Sequence, residues 1–438
     1  MGDLMPYRIW AYRWFCFGLW LFLGGGLGLS ARSELGADEK APMITSSPTY
    51  RMPEQVGGTL IIPLPGDPKT FQPLASYDAV TMSVTYGFIF EGLLQVNALT
   101  QELTPGLARS WSISPDGLTW IFHLQPDLFW SDGQPLTADD VVFSFDQMMQ
   151  PTSQSPLRSL FLIRDKPVRI RASAADTVIF ELPSPYSPFL SVVGTFVIIP
   201  RHHFPESKDA SEFARRWGVN TPPDQIVGSG PFCLAAYKPG EKIVLERNSH
   251  YWKKDGKGRR LPYLDRIILL IQSNQDTRLL KFLSGEADIL PHVRPQDVDL
   301  LEKDAANKNY LLYNLGPDVN INFFWFNLNT TENPKTHQPL VAPYKSVWFR
   351  DRRFRQAMAY ATNRAGMVKA ILQGRGSPLQ SLKTETDKIW AAHNLPEYPY
   401  DLAKAGALLK EIGFSDRNGD TWLEDGAGHP LEFDLITT

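Results

Sequence analysis

No single hydrophobic core can serve this chain. Its 438 residues exceed the ~250–300 at which one core stops growing, which requires at least two lobes. Within that limit, short strand and helix signals mix without a strict β-α repeat. Gly57-Gly58-Thr59-Leu60-Ile61-Ile62 is an apolar run set off by glycine and predicts a buried strand. Prolines 63, 65, 68 and 73 then predict an extended loop. A helix is expected over 86–94, and Pro115-Asp116-Gly117 predicts a turn into a strand over 118–124. Thr137 reads as the N-cap of a helix with Asp139 and Asp140 in its first turn and Val141, Phe145 and Met148 on one face.

Further strands are expected over 177–182, 242–247 and 265–271, followed by a helix over 277–284 closed by Gly285. Ala287-Asp288-Ile289 is expected to open another strand, and 323–326 and 431–438 to form strands by alternation. Residues 350–373 carry Phe354, Ala357, Met358 and Ala361 at helical spacing, which predicts a helical hairpin interrupted at Asn363-Arg364 and stopped by Gly374. The whole predicts an α/β protein of two lobes with a subsidiary layer.

Charged residues make up 21% of the chain with a net charge of -3, so there is no electrostatic case for nucleic acid or an anionic membrane surface. Arg8 and Arg13 precede an apolar run over 14–29, and small residues follow at Ser30, Ala31, Gly36 and Ala37. This layout predicts a secretory signal peptide over 1–37 and a Pro/Ser/Thr-rich linker over 38–56. The run is shorter than the ~20 residues of a spanning helix, and Gly24-Gly25-Gly26 weakens it further. Cys16 lies at the start of the run, so an amino-terminal lipidated cysteine is not expected. Cleavage leaves Cys233 alone, which excludes an intrachain disulfide and predicts a small buried apolar residue.

Motifs for catalysis are missing from the sequence: there is no His-Glu-x-x-His, no phosphate-binding Gly-rich loop and no Gly-x-Ser-x-Gly elbow. His202 and His203, taken as strand neighbours, should face opposite ways and share no metal. Asp416-Arg417-Asn418-Gly419-Asp420 has the start of a calcium loop, but Thr421 and Ala427 stand where glycine and an acid are needed, so an Asx-rich turn is expected. No cofactor is expected. Gly228-Ser229-Gly230 before Pro231 is a stiff turn that either faces a ligand with its amides or only joins two strands.

The most specific stretch runs from Leu107-Ala108-Arg109-Ser110-Trp111 through Pro115-Asp116-Gly117-Leu118-Thr119-Trp120 to Trp130-Ser131-Asp132-Gly133 and Thr137-Ala138-Asp139-Asp140-Val141. Phe90-Glu91-Gly92-Leu93, Gly228-Ser229-Gly230-Pro231-Phe232, Tyr251-Trp252, Ser284-Gly285-Glu286-Ala287-Asp288 and Phe354-Arg355-Gln356-Ala357 occur in order around it. Together they resemble family 5 of the bacterial extracellular solute-binding proteins, the oligopeptide, dipeptide and nickel-binding group; Gln125 departs from the basic residue usual there. The resemblance implies a two-lobed type II periplasmic-binding-protein fold of the large peptide-binding class. It assigns 57–95 and 183–290 to lobe I, 96–182 to a subsidiary domain and 291–438 to lobe II.

The implied function is that of a non-enzymatic, monomeric subunit of an ABC importer, on the periplasmic or extracellular side of the cytoplasmic membrane. It would close two hinged lobes on a peptide or other small solute and present it to permease and ATPase subunits. A secreted hydrolase with an unrecognised carboxylate pair is the alternative. By resemblance, Ser76, Asp78, Ala79 and Val80 lie along the ligand, although Asp78 is equally a helix N-cap. Phe323, Phe324, Trp325 and Phe326 are the aromatic set for the opposing lobe, with Trp325 and Phe326 as the chosen contacts. In the resembled family well over a hundred residues follow the strand expected at 431–438. The C-terminal part is therefore expected to be missing, and the fragment alone is expected to be no competent binder and protease-sensitive beyond about Pro291.

Overall fold

A computed structural model describes residues 56–76, 78–97, 100, 102–153, 155–204, 213, 215–305, 310–315, 321–384, 391–392 and 394–436. The expected signal peptide, Cys16 and all of the linker except Val56 lie outside the described residues. Among the described residues, no helix is long and apolar enough to cross a membrane. The chain divides between Val293 and Arg294 into two compact units.

The first unit contains, in order, β1 (Thr59–Leu64), α1 (Ala79–Thr85), β2 (Leu94–Val96), β3 (Leu103–Pro105), β4 (Ala108–Ile113), β5 (Thr119–Leu124) and α2 (Ala138–Met149). There follow β6 (Leu162–Ile163), β7 (Lys166–Pro167), β8 (Arg169–Ala174), β9 (Thr177–Glu181), α3 (Phe189–Val193), β10 (Phe232–Lys238), β11 (Lys242–Arg247), β12 (Arg266–Ile271) and α4 (Gln275–Leu283). One sheet has the order β1-β12-β11-β10, with β1 parallel to β12 and the other pairs antiparallel. Its core face follows the period of two: Leu60, Ile62 and Leu64 on β1, Ile243 and Leu245 on β11, and Ile267, Leu269 and Ile271 on β12 are buried.

 Leu269 pairs with Ile62 and Ile243, so the three strands bury one shared apolar stripe. Pro63 is within β1, opposite Leu270, so the strand runs two residues into the expected loop. β1 is an edge strand, where the missing amide costs no ladder bond.

The second four-stranded sheet, β4-β5-β9-β8, is antiparallel throughout. Trp120, Phe122, Leu124 and Phe180 are buried on it, as are Val141, Phe145 and Met148 of α2. Phe145 meets Phe180 and Phe161 edge-on at 5.7 and 5.1 Å, favourable aromatic geometry. The Thr137 amide donates to Asp140 Oδ2 at 2.9 Å, so an acid of the first turn closes the amino end of α2. Cys233 is half-buried on β10, and burial pushes its thiol up.

Two expectations in this unit are corrected. The helix expected over 86–94 is α1, which starts seven residues earlier and ends at Thr85. After it, Gly87 takes φ 77°, and the Phe88 and Ile89 carbonyls accept from Phe232 N at 2.9 Å and Gly230 N at 2.8 Å. A continuous apolar run does not distinguish a buried helix from buried extended chain. Residues 287–289 form no strand either. Asp288 alone bonds the open edge of β1, its amide donating to Ile61 O at 2.9 Å and its Oδ2 accepting from Ile61 N at 2.7 Å.

The second unit carries α5 (Pro295–Ala305), α6 (Pro343–Arg350), α7 (Arg352–Ala361), α8 (Arg364–Ile371) and α9 (Leu402–Glu411). Trp348, Phe349, Phe354, Ala357, Tyr360, Ala405, Leu409 and Phe414 form its core. The expected hairpin over 350–373 is formed by α7 and α8, broken where expected: Asp351 caps α7 through Arg353 N at 2.7 Å and Asn363 caps α8 through Gly366 N at 2.8 Å. Gly374 follows α8 with φ 78°. Residues 323–326 and 431–436 are not strands, while Thr437 and Thr438 lie outside the described residues. Side-chain packing holds these segments: Phe326 packs at 5.0 Å on Phe349, and Phe433 at 5.9 Å on both.

Candidate ligand-binding site

The segment expected to meet a ligand opens α1. Asp78 is its N-cap, accepting from Thr81 N at 3.0 Å through Oδ1 and from Ser76 Oγ at 2.8 Å through Oδ2. Burial raises the Asp78 carboxyl, but hydrogen bonds from Thr81 and Ser76 outweigh it and leave the group below its ordinary value. Asp78 therefore stays charged at neutral pH. Ser76, Asp78, Ala79 and Val80 are all half-exposed, so the start of α1 is open to solvent while Thr81, Met82 and Val84 anchor it. Loss of the cap in Asp78→Ala is expected to cost about 1 kcal/mol of stability, read as a lower urea midpoint.

Gly228-Ser229-Gly230 is a buried connection, not an open cradle. The Gly228 carbonyl accepts from Ser131 N at 2.9 Å, and the Gly230 amide donates to Ile89 O at 2.8 Å. Ser229 Oγ accepts from Glu91 N at 3.2 Å. Of the two uses open to this turn, the structure takes the joining one.

Glu91 was part of a sequence motif without an assigned role, and it is the centre of a buried polar network. Its Oε1 accepts from Gln95 Nε2 at 2.8 Å and Tyr251 Oη at 3.0 Å, and its Oε2 from Trp252 Nε1 at 2.9 Å. Burial pushes the carboxyl up to about 7, against the opposing pull of the Trp252 bond, the Lys253 charge and the Tyr251 and Gln95 bonds. The network ties the 251–252 aromatics to the core. An acid inside an apolar run was the available signal.

In the second unit, Trp325 is 68% exposed and its ring lies 5.1 Å from that of Phe323. Phe324 is also exposed. Phe326 is different: it is half-buried, lying against Phe349 and Phe354 at 5.0 and 5.6 Å on the edge of the second unit's core. Of the chosen pair, Trp325 is the more exposed.

The Asp416 turn is held by Gly419 N and Thr421 N donating to Asp416 at 2.7 and 3.0 Å, and by Arg417 N donating to Glu424 Oε2 at 2.9 Å. Asp416, Asp420 and Glu424 bring ligand oxygens within 4.8 Å of one another. His202 and His203 overturn their expectation. They occupy a single 3-10 turn, Arg201–His203, not a strand, and both Nε2 atoms reach Asp132 Oδ2, at 2.7 and 3.3 Å.

Comparison with known proteins gives this arrangement its context. The family described as bacterial extracellular solute-binding proteins, family 5 Middle, matches residues 102–437. A probable ABC transporter-binding protein of Deinococcus radiodurans is 30% identical over 397 residues, covering 87% of this chain and 64% of its own length. The dipeptide-binding protein of Escherichia coli is 27% identical, covering 81% and 63%. The chain thus spans a little under two thirds of these relatives. Among solved structures, the ABC transporter substrate-binding protein CtaP of Listeria monocytogenes is similar with a TM-score of 0.60 at 28% identity, covering 82% of this chain and 66% of that one. The oligopeptide-binding protein AppA of Bacillus subtilis, in complex with a nonapeptide, has a TM-score of 0.65 at 22% identity, covering 86% and 68%, a likeness of fold. These relatives are solute-binding proteins, not enzymes, and the fold is the α/β, two-lobed type II periplasmic-binding fold. The chain belongs to family 5 of the bacterial extracellular solute-binding proteins.

Proposed function

We propose that this protein is the non-enzymatic, extracytoplasmic solute-binding subunit of an ABC importer, exported by its amino-terminal signal and working as a monomer with permease and ATPase subunits. Peptides or similar small solutes are its cargo. The observation that carries this reading is the family match over 102–437, supported by relatives named for dipeptide and oligopeptide binding. Sequence-tolerant capture of a peptide needs backbone hydrogen bonds and countercharges for its termini. The half-exposed start of α1 is suited to this: Ser76, Ala79 and Val80 offer polar groups and backbone, and Asp78 offers a charge that persists at neutral pH. Trp325 supplies an exposed ring for apolar contact.

Asp78 has two roles to separate, cap and countercharge. Asp78→Asn keeps a capping oxygen but removes the charge. In protein recovered from its native host, this variant is expected to keep its melting midpoint and bind peptide about tenfold more weakly by calorimetry, since a charge-assisted hydrogen bond contributes about 1.5–3 kcal/mol. Unchanged affinity would restrict Asp78 to capping.

A further inference from the structure

Asp132, His202 and His203 are brought together from stretches 70 residues apart, on one face of the first unit. Two braced turns place them. Asp132 lies in the turn closed by Gly133 N donating to Trp130 O at 2.9 Å and Trp130 N donating to Gln134 O at 2.8 Å. Its Oδ1 accepts from Gln134 N at 3.1 Å, which leaves Oδ2 to face the histidines. On the other side, Arg201 N donates to the buried Asp140 Oδ1 at 2.9 Å, and Phe204 packs edge-on against Trp217 at 4.8 Å. Successive side chains of a 3-10 turn diverge by about a third of a revolution, so adjacent histidines can converge where strand neighbours cannot.

The convergence has the chemistry of a chelate. Two imidazole nitrogens and a carboxylate oxygen lie within 4.8 Å of one another, and the imidazole rings are 4.9 Å apart with a 67° interplanar angle. Side-chain exposures of 36%, 28% and 28% for His202, His203 and Asp132 leave a path for an ion and for water at its remaining positions. Two nitrogens and one oxygen suit zinc, nickel or copper, whereas calcium and magnesium take oxygen sets. Arg216, the cation beside His203, is held over the Phe204 ring at 5.5 Å.

We propose that Asp132, His202 and His203 form a binding site for a divalent transition metal of the zinc class, which clips the 201–203 turn to the 130–134 turn. This site is separate from the solute contacts proposed on α1 and stands whether or not that reading holds. Its role is to stabilise the first unit in the presence of the ion.

The test uses the chain freed of any histidine tag, titrated with zinc chloride by calorimetry and with cobalt(II) by visible absorption. Binding of one ion per chain is expected, weakened at least about tenfold in both His202→Gln and His203→Gln. Asp420→Asn, which touches the other carboxylate cluster, is expected to leave it unchanged. X-ray absorption of the zinc-loaded chain is expected to show two imidazoles in the metal shell, a readout that needs no variant. Absence of binding at millimolar zinc, affinity in the two histidine variants equal to that of the unaltered chain, or a shell of oxygen alone would overturn the proposal.

Discussion

Gly228→Ala is expected to destabilise the first unit by more than about 3 kcal/mol. The methyl would sit inside the carbonyl oxygen of Ile89, with the Ile89 carbonyl carbon and Cγ2 each at 2.8 Å. Neither backbone can retreat without breaking polar contacts. The Gly228 carbonyl accepts from Ser131 N at 2.9 Å, Gly230 N donates to Ile89 O at 2.8 Å, and the Gly230 carbonyl accepts from Asn248 Nδ2 at 2.8 Å. Ile89 itself is fully buried. Gly240→Ala is the control: that residue has φ 70° and nothing within 4 Å of its added carbon, so only the left-handed backbone cost of about 1–2 kcal/mol applies. Urea midpoints followed by circular dichroism measure both. A Gly228→Ala cost no greater than that of Gly240→Ala would contradict the close approach.

The second large effect is pH-dependent. Burial raises folded Glu91 from an ordinary 4.5 to about 7, so between these values the folded state holds a proton that the unfolded chain has lost. Stability from this group is therefore fully present below 4.5 and falls as pH rises through about 7. The difference corresponds to about 3 kcal/mol, since one unit is about 1.4 kcal/mol and the shift runs from 4.5 to about 7. Glu91→Gln cannot ionise, so its stability relative to the unaltered protein is expected to improve by about 3 kcal/mol between pH 4.5 and 7.5. Comparing the two at each pH cancels the other titrating groups. Urea unfolding at both pH values checks it, and parallel pH profiles would show that Glu91 does not titrate in this range.

Legibility in the sequence followed the range of the forces. β11 and α2 were readable because alternation and an N-cap signal are local. α1 was misplaced because Phe88, Ile89 and Phe90 are buried by partners more than a hundred residues away, a context that no local window contains. The 323–326 segment failed for a related reason: its alternation has no neighbouring strand to pair with among the described residues, and Phe326 is held by helix side chains instead. At the candidate site, the cap geometry of Asp78 was legible from its position before α1, but its charge state depended on Ser76 and Thr81 closing around it. The Asp132 cluster was hidden because a 3-10 turn, not a strand, carries His202 and His203.

Native mass spectrometry of the protein purified without denaturation from the envelope of its native host tests the central claim most directly. The account predicts a processed chain lacking its amino-terminal signal, carrying one small solute, and exchanging it one-for-one with added peptides that are recovered intact. A chain that retains Met1, takes up no peptide or other small solute, or returns the peptides cleaved would contradict it.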